Sequence, residues 1–130
     1  MKLSSQTQHK FQSTSLKVHT GNGTMYVFVL EDTRGVPVAI QATIGKCGTA
    51  LFAWAYALAE LANTILDKGG TLNEIIQALS NITSDNHSVT GNKVPIRSGP
   101  EGFKYALEMY QQDKRDRANR VIFRRVGNKR

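Results

Sequence analysis

The run Val36-Pro37-Val38-Ala39-Ile40-Gln41-Ala42-Thr43-Ile44, broken by Gly45-Lys46-Cys47-Gly48-Thr49 and continued by an Ala-rich apolar stretch to Leu66, decides the architecture. The first part is a strand, with Pro37 near its start, where a missing backbone donor costs least. The glycines break it, and a helix runs from about Thr49 to Lys68. Its apolar residues, among them Leu51, Phe52, Trp54, Tyr56, Leu58, Leu61, Ile65 and Leu66, fall on nearly every side. Such a helix must be covered all round. Three strands cover one face, so more chain or a second copy is needed for the other, and a homodimer or larger homo-oligomer is expected.

Upstream, Met25-Tyr26-Val27-Phe28-Val29-Leu30 is β-branched and aromatic, and Leu16 and Val18 alternate with Lys17 and His19. Both read as strands. Gly21-Asn22-Gly23 and Asp32-Thr33-Arg34-Gly35 supply the tight turns between them. The three strands form an antiparallel meander. Residues 1–14 are polar and read as a flexible arm, 15–126 as one domain, and 127–130 as a basic tail.

Downstream, Gly69-Gly70 closes the long helix with left-handed caps. Thr71-Leu72-Asn73-Glu74 is a capping box that opens a second helix with a Leu72, Ile75, Ile76, Leu79 stripe. Residues 83–94 read as a polar loop. Ser98-Gly99-Pro100-Glu101 caps a third helix, whose stripe of Phe103, Ala106, Leu107 and Tyr110 ends near Gln112. Val121-Ile122-Phe123 reads as a short strand pinning the basic end to the body. The fold class is therefore α+β: a β-meander packed on a long apolar helix, then two shorter helices and a basic C-terminal segment.

The chain has 130 residues, one cysteine and a net charge of +7. From Gln111 onward, eight basic residues against two acidic ones leave +6 of that charge in the last segment. This balance favours anionic partners. A lone Cys47 rules out an internal disulfide and suits a reducing compartment. The N-terminus has no apolar signal core, and the stretch from Thr49 to Leu66 carries Glu60 and Asn63 and falls short of a membrane span. A cytoplasmic protein without a membrane partner is expected.

Two segments can hold an anion. Lys46, Gly48 and Thr49 lie where a strand meets a helix N-terminus, whose backbone N–H groups favour negative charge. A glycine-punctuated turn with a surface lysine explains them as well, and the spacing is not that of a P-loop. Arg117, Arg120, Arg124 and Arg125 interleave with apolar residues, and arginines grip phosphates with paired hydrogen bonds. A solvated charged tail is the plainer reading. Tyr105 lies off the third helix's stripe and is placed to stack on a base, and Asn92, Lys93 and Arg97 complete the candidate ligand set. His9, His19 and His87 have no metal-ligand spacing, and no triad or hydrolase motif is present. No catalytic residue, metal or cofactor is assigned.

The order of these motifs resembles the TSCPD domain, which occurs at the C-terminus of cobalamin-dependent ribonucleotide reductases and as free-standing proteins. The resemblance spans roughly Gly23 to Leu107: the Tyr26 to Gly35 strand and turn, the Gly45–Thr49 turn and apolar helix, Gly69-Gly70, and Arg97-Ser98-Gly99-Pro100-Glu101. In the last, Gly99 stands where the family has cysteine and Glu101 where it has aspartate, so no thiol chemistry carries over. Free-standing domains of this size also resemble, more loosely, phage anti-defence proteins that sequester nucleotide second messengers between subunits. That resemblance implies a sponge for a cyclic ADP-ribose-type or cyclic oligonucleotide ligand, acting in the host cytoplasm. The alternative is a nucleic-acid-binding or ribonucleotide-reductase-associated accessory domain.

Overall fold

A computed structural model describes residues 11–46, 48–82, 96 and 98–127, with side chains described to Val121. Strand β1 (Gln12–Thr20) pairs antiparallel with β2 (Gly23–Glu31), which pairs antiparallel with β3 (Pro37–Ile44), giving the order β1-β2-β3. β1 begins three residues before Ser15, so residues 12–14 belong to the sheet rather than to an arm. Thr20 closes the first turn by donating to the Gly23 carbonyl at 2.7 Å. In the second turn the Asp32 carboxylate accepts from the backbone N–H groups of Arg34 and Val36, and Gly35 takes φ +79°. These bonds hold the Asp32 carboxyl below its usual value, the one from Val36 contributing most.

One face of the sheet is apolar. Val18, Met25, Val27, Val29, Ile40, Ala42 and Ile44 are all buried on it, as period-2 alternation requires. The helices α1 (Ala50–Asp67), α2 (Leu72–Ala78) and α3 (Gly99–Gly127) follow. α1 packs along β3 and α3 along β1 and β2. α1 meets the sheet through a stripe of small residues, Ala55, Ala59 and Ala62, with Leu58, Ile65 and Leu66 partly buried beside it and Leu51, Trp54, Tyr56 and Leu61 exposed. α3 contributes Phe103, Ala106, Leu107 and Tyr110, all buried.

Local capping follows the sequence closely. Thr49 accepts from the Phe52 N–H, and Thr71 and Glu74 form the reciprocal capping box. α1 ends in a Schellman motif: Gly69 N–H donates to the Leu66 carbonyl and Gly70 N–H to that of Ile65, with Gly69 at φ +87°. Ser98 caps α3, accepting from the Glu101 N–H and donating to its carboxylate.

α3 departs from expectation. It does not stop near Gln112, and Val121-Ile122-Phe123 is helix, not strand. Neither proline nor glycine interrupts the chain between Gly102 and Gly127. Successive turns are tied by Gln112 to Asp116 at 3.0 Å and by Arg117 to Asp113 at 2.8 Å, the i,i+4 pairing that supports solvated helices. Every side chain from Gln112 to Val121 is exposed, and past Lys114, which still reaches the β2–β3 turn, α3 runs on as a cationic rod. Among the described residues no helix is long and apolar enough to cross a membrane.

Candidate functional site

The sheet has two ends, and the direction of the chain decides what sits at each. At one, Met25 pairs with Ile44 and the β3–α1 turn follows; at the other, Glu31 faces Pro37 and the β2–β3 turn follows. The length of β3 separates them by roughly 25 Å.

Lys46, Gly48 and Thr49 are exposed at the first end. The Thr49 hydroxyl donates to the Lys46 carbonyl at 2.6 Å and accepts from the Phe52 N–H at 3.3 Å, so it already serves one of the helix's orphan donors. Arg117 and Arg120 are exposed beyond the second end, on α3. One chain therefore does not bring the two sequence-derived anion sites together. Arg124 and Arg125 lie in the same helix, but their side chains, like the whole of Asn92, Lys93 and Arg97, are outside the described residues. Tyr105 is half-buried and packs against the core, further in than its place off the stripe suggests.

The second end holds a concave site of about 610 Å³ between the β2–β3 turn, the α1–α2 junction and α3. Its apolar side is made by Pro37, Leu66 and Leu72, and its polar side by Asn73, Gln111, Lys114 and Arg115. The Gln111 carboxamide donates to the Asn73 oxygen at 3.2 Å, tying α3 to the start of α2.

Behind it lies a polar cluster of buried Glu31 and Tyr110 with the exposed Lys114. The Tyr110 hydroxyl donates to the Glu31 carboxylate at 2.5 Å. Lys114 donates to the same oxygen at 3.0 Å and to the Gly35 carbonyl, and its ammonium sits 5.7 Å from the centre of the Tyr110 ring. Burial alone would raise the Glu31 carboxyl, but the Tyr110 hydroxyl and the Lys114 ammonium outweigh it and hold the group below the usual carboxylate range. Burial and the bond to Glu31 push the Tyr110 hydroxyl well above its ordinary value, so it stays protonated. Lys114 is thus committed to Glu31 and anchors α3, whereas Arg115 makes no ion pair among the described residues. Arg115 is the cation this cleft can offer an anion.

Sequence reasoning missed Asn73, Gln111 and Arg115 as neighbours. Local spacing cannot join α2 to α3, and the one available signal was the cationic run itself. Among the described residues no group of His, Cys, Asp and Glu side chains is arranged to hold a metal ion.

A one-sided three-stranded sheet, three helices and a cleft beneath a cationic helix define a small α+β domain with a mixed apolar and cationic pocket. The chain belongs to the TSCPD-domain family, whose model matches residues 3–111. The match ends just before Lys114 and Arg115, so the cationic extension of α3 lies beyond it. No curated protein and no solved structure matches the chain.

Proposed function

We propose that this TSCPD-domain protein captures a small phosphate-bearing nucleotide signal, of the cyclic ADP-ribose or cyclic oligonucleotide class, and holds it without cleaving it, in the manner of a phage anti-defence sponge. The observation that carries this reading is the cleft of about 610 Å³ at the foot of α3. Its size lies within the few hundred to about 1,000 Å³ usual for small-molecule sites. Pro37, Leu66 and Leu72 offer an apolar floor for a base, Asn73 and Gln111 offer carboxamides to base edges or ribose hydroxyls, and Arg115 offers a guanidinium to phosphate.

Calorimetry and native mass spectrometry with cyclic ADP-ribose isomers and with cyclic di- and trinucleotides test it. One of these is expected to bind, to be recovered unaltered after denaturation, and to bind about tenfold or more weakly to the Arg115→Ala protein. Binding by none of them overturns the proposal. Recovery of a cleaved product would make the protein an enzyme instead.

The exposed Arg117 and Arg120 on the projecting half of α3 favour one second reading, a nucleic-acid-binding accessory domain. Affinity for DNA or RNA should then fall steeply with salt, because neutralised phosphates release counterions. A flat salt response removes this reading.

A further inference from the structure

The large apolar side chains of α1 are not scattered. Leu51, Trp54, Leu58, Leu61 and Ile65 are spaced three, four, three and four residues apart. That is the a and d spacing with which one helix packs along another. At about 100° per residue these five form one stripe, roughly a quarter-turn away from the Ala55, Ala59, Ala62 stripe that meets the sheet. Its outer side is open, with Trp54 76% exposed and Leu61 66%, while Leu58 and Ile65 lean partly buried against the core. Beside it runs an apolar groove of about 370 Å³, lined by Trp54, Leu58 and Leu61 of α1 and by Met25, Leu79 and Pro100.

We infer that this face is where a second copy of the chain docks, α1 against α1. Three features select that occupant. The period matches itself, as a twofold interface requires. The stripe is flanked along its length by Ala55, Ala57, Ala62 and Thr64, and the charge that falls in line with it is Lys68, at the C-terminal cap of α1, while the chain as a whole carries +7. Two such chains repel most through the segment from Gln111 onward, which carries +6 of that charge, and can meet on a face whose centre has none. Finally, the protruding indole and the groove lie on one face, so each copy offers the other both a knob and a hole. The interface does not depend on the nucleotide reading, and it stands or falls separately.

Trp54 is the only tryptophan, so its emission reports on this face alone. Sedimentation velocity and fluorescence from low to high micromolar protein form the test. The wild-type protein is expected to be a dimer with blue-shifted emission that moves red on dilution. Leu61→Glu should weaken dimerisation roughly a hundredfold or more, because the new carboxylate would be buried unpaired. The same protein should keep its far-UV circular dichroism, since Leu61 is solvated in the single chain. Tyr56→Glu, on the opposite side of α1, should remain dimeric although Tyr56 is also exposed. A monomer at every concentration overturns the inference, and so does a dimer that Leu61→Glu leaves intact. Blue-shifted emission that does not change with concentration in a monomer would assign the cover to this chain itself, and overturns it too.

Discussion

The Asn63 carboxamide pairs with both backbone groups of Ile40: its oxygen accepts from the Ile40 N–H at 2.7 Å and its nitrogen donates to the Ile40 carbonyl at 3.0 Å. Ile40 faces Val29 of β2 on one side, so these two groups point out from the free edge of β3. An exposed strand edge invites pairing with another chain. Here a helix supplies, with one side chain, what a fourth strand would supply with its backbone. The same contact fixes the rotation of α1, and thereby turns the Ala stripe to the sheet and the Trp54 stripe to solvent.

Replacing Asn63 by alanine should cost about 1–3 kcal/mol, the penalty of leaving a half-buried donor and acceptor unpaired. Urea unfolding measures it. Leucine should do no better, because it restores volume without partners. The variant should also aggregate more readily on heating, since the edge of β3 is opened.

Glu31 makes stability depend on pH in a definite direction. Its folded-state carboxyl is held below the ordinary 4.5, so in acid the unfolded chain binds the proton more readily and stability falls as pH falls. The contribution is complete above about 4.5 and is lost as pH drops through the lowered folded value. Tyr110→Phe removes the strongest bond to that carboxylate and should cost about 1.5–3 kcal/mol near neutral pH. The gap between the variant and the wild type should narrow in acid. Thermal melts across that range read both, and a gap that stays constant would assign the loss to packing alone.

The local parts of this architecture were legible in the sequence, because turns, caps and alternation are written within a few residues of one another. Thr49, Thr71 and Ser98 sit where their hydroxyls must sit, and the glycine turns fix the meander. The end of α3 was not legible in the same way. Val121-Ile122-Phe123 has a strand's composition, and only the absence of a breaker before Gly127, together with pairs such as Asp113 with Arg117, tips it to helix. The cleft was least visible. Its anchor joins Lys114 to Glu31 across 83 residues, and the sequence records charges without their partners. A cationic run therefore suggested an anion site at Arg117, Arg120, Arg124 and Arg125, while the arginine that lines the concave surface is Arg115.

Arg117 offers a contrast with that anchor. Its bridge to Asp113 is short, at 2.8 Å, but both side chains are about half exposed or more. Exposed i,i+4 pairs contribute only about 0.3–0.5 kcal/mol. Arg117→Ala should therefore leave the melting temperature nearly unchanged while Lys114→Ala lowers it, even though both substitutions remove one positive charge from the same helix.

Gly102 sets the distance between α3 and the sheet, and it gives the least intuitive outcome. It is a buried helix residue, and by propensity alone alanine there should gain about 1 kcal/mol. A Cβ added at this position would stand 2.4 Å from the Thr20 methyl, and 3.6 Å from side-chain carbons of Ile96 and Val18. Thr20 cannot turn aside cheaply, because its hydroxyl donates to the Gly23 carbonyl and accepts from the Asn22 N–H at 3.1 Å. Asn22 in turn accepts from the Gly99 N–H at 2.8 Å, which holds the start of α3 against the same turn. Making room means moving the helix or breaking the turn. Gly102→Ala should therefore destabilise by about 1–3 kcal/mol net, the usual cost of overpacking. The double substitution Gly102→Ala with Thr20→Ser, which removes the obstructing methyl and keeps the hydroxyl, should recover most of the loss. Urea unfolding of the four proteins of this cycle measures the coupling, and additive effects would mean that the clash is relieved elsewhere.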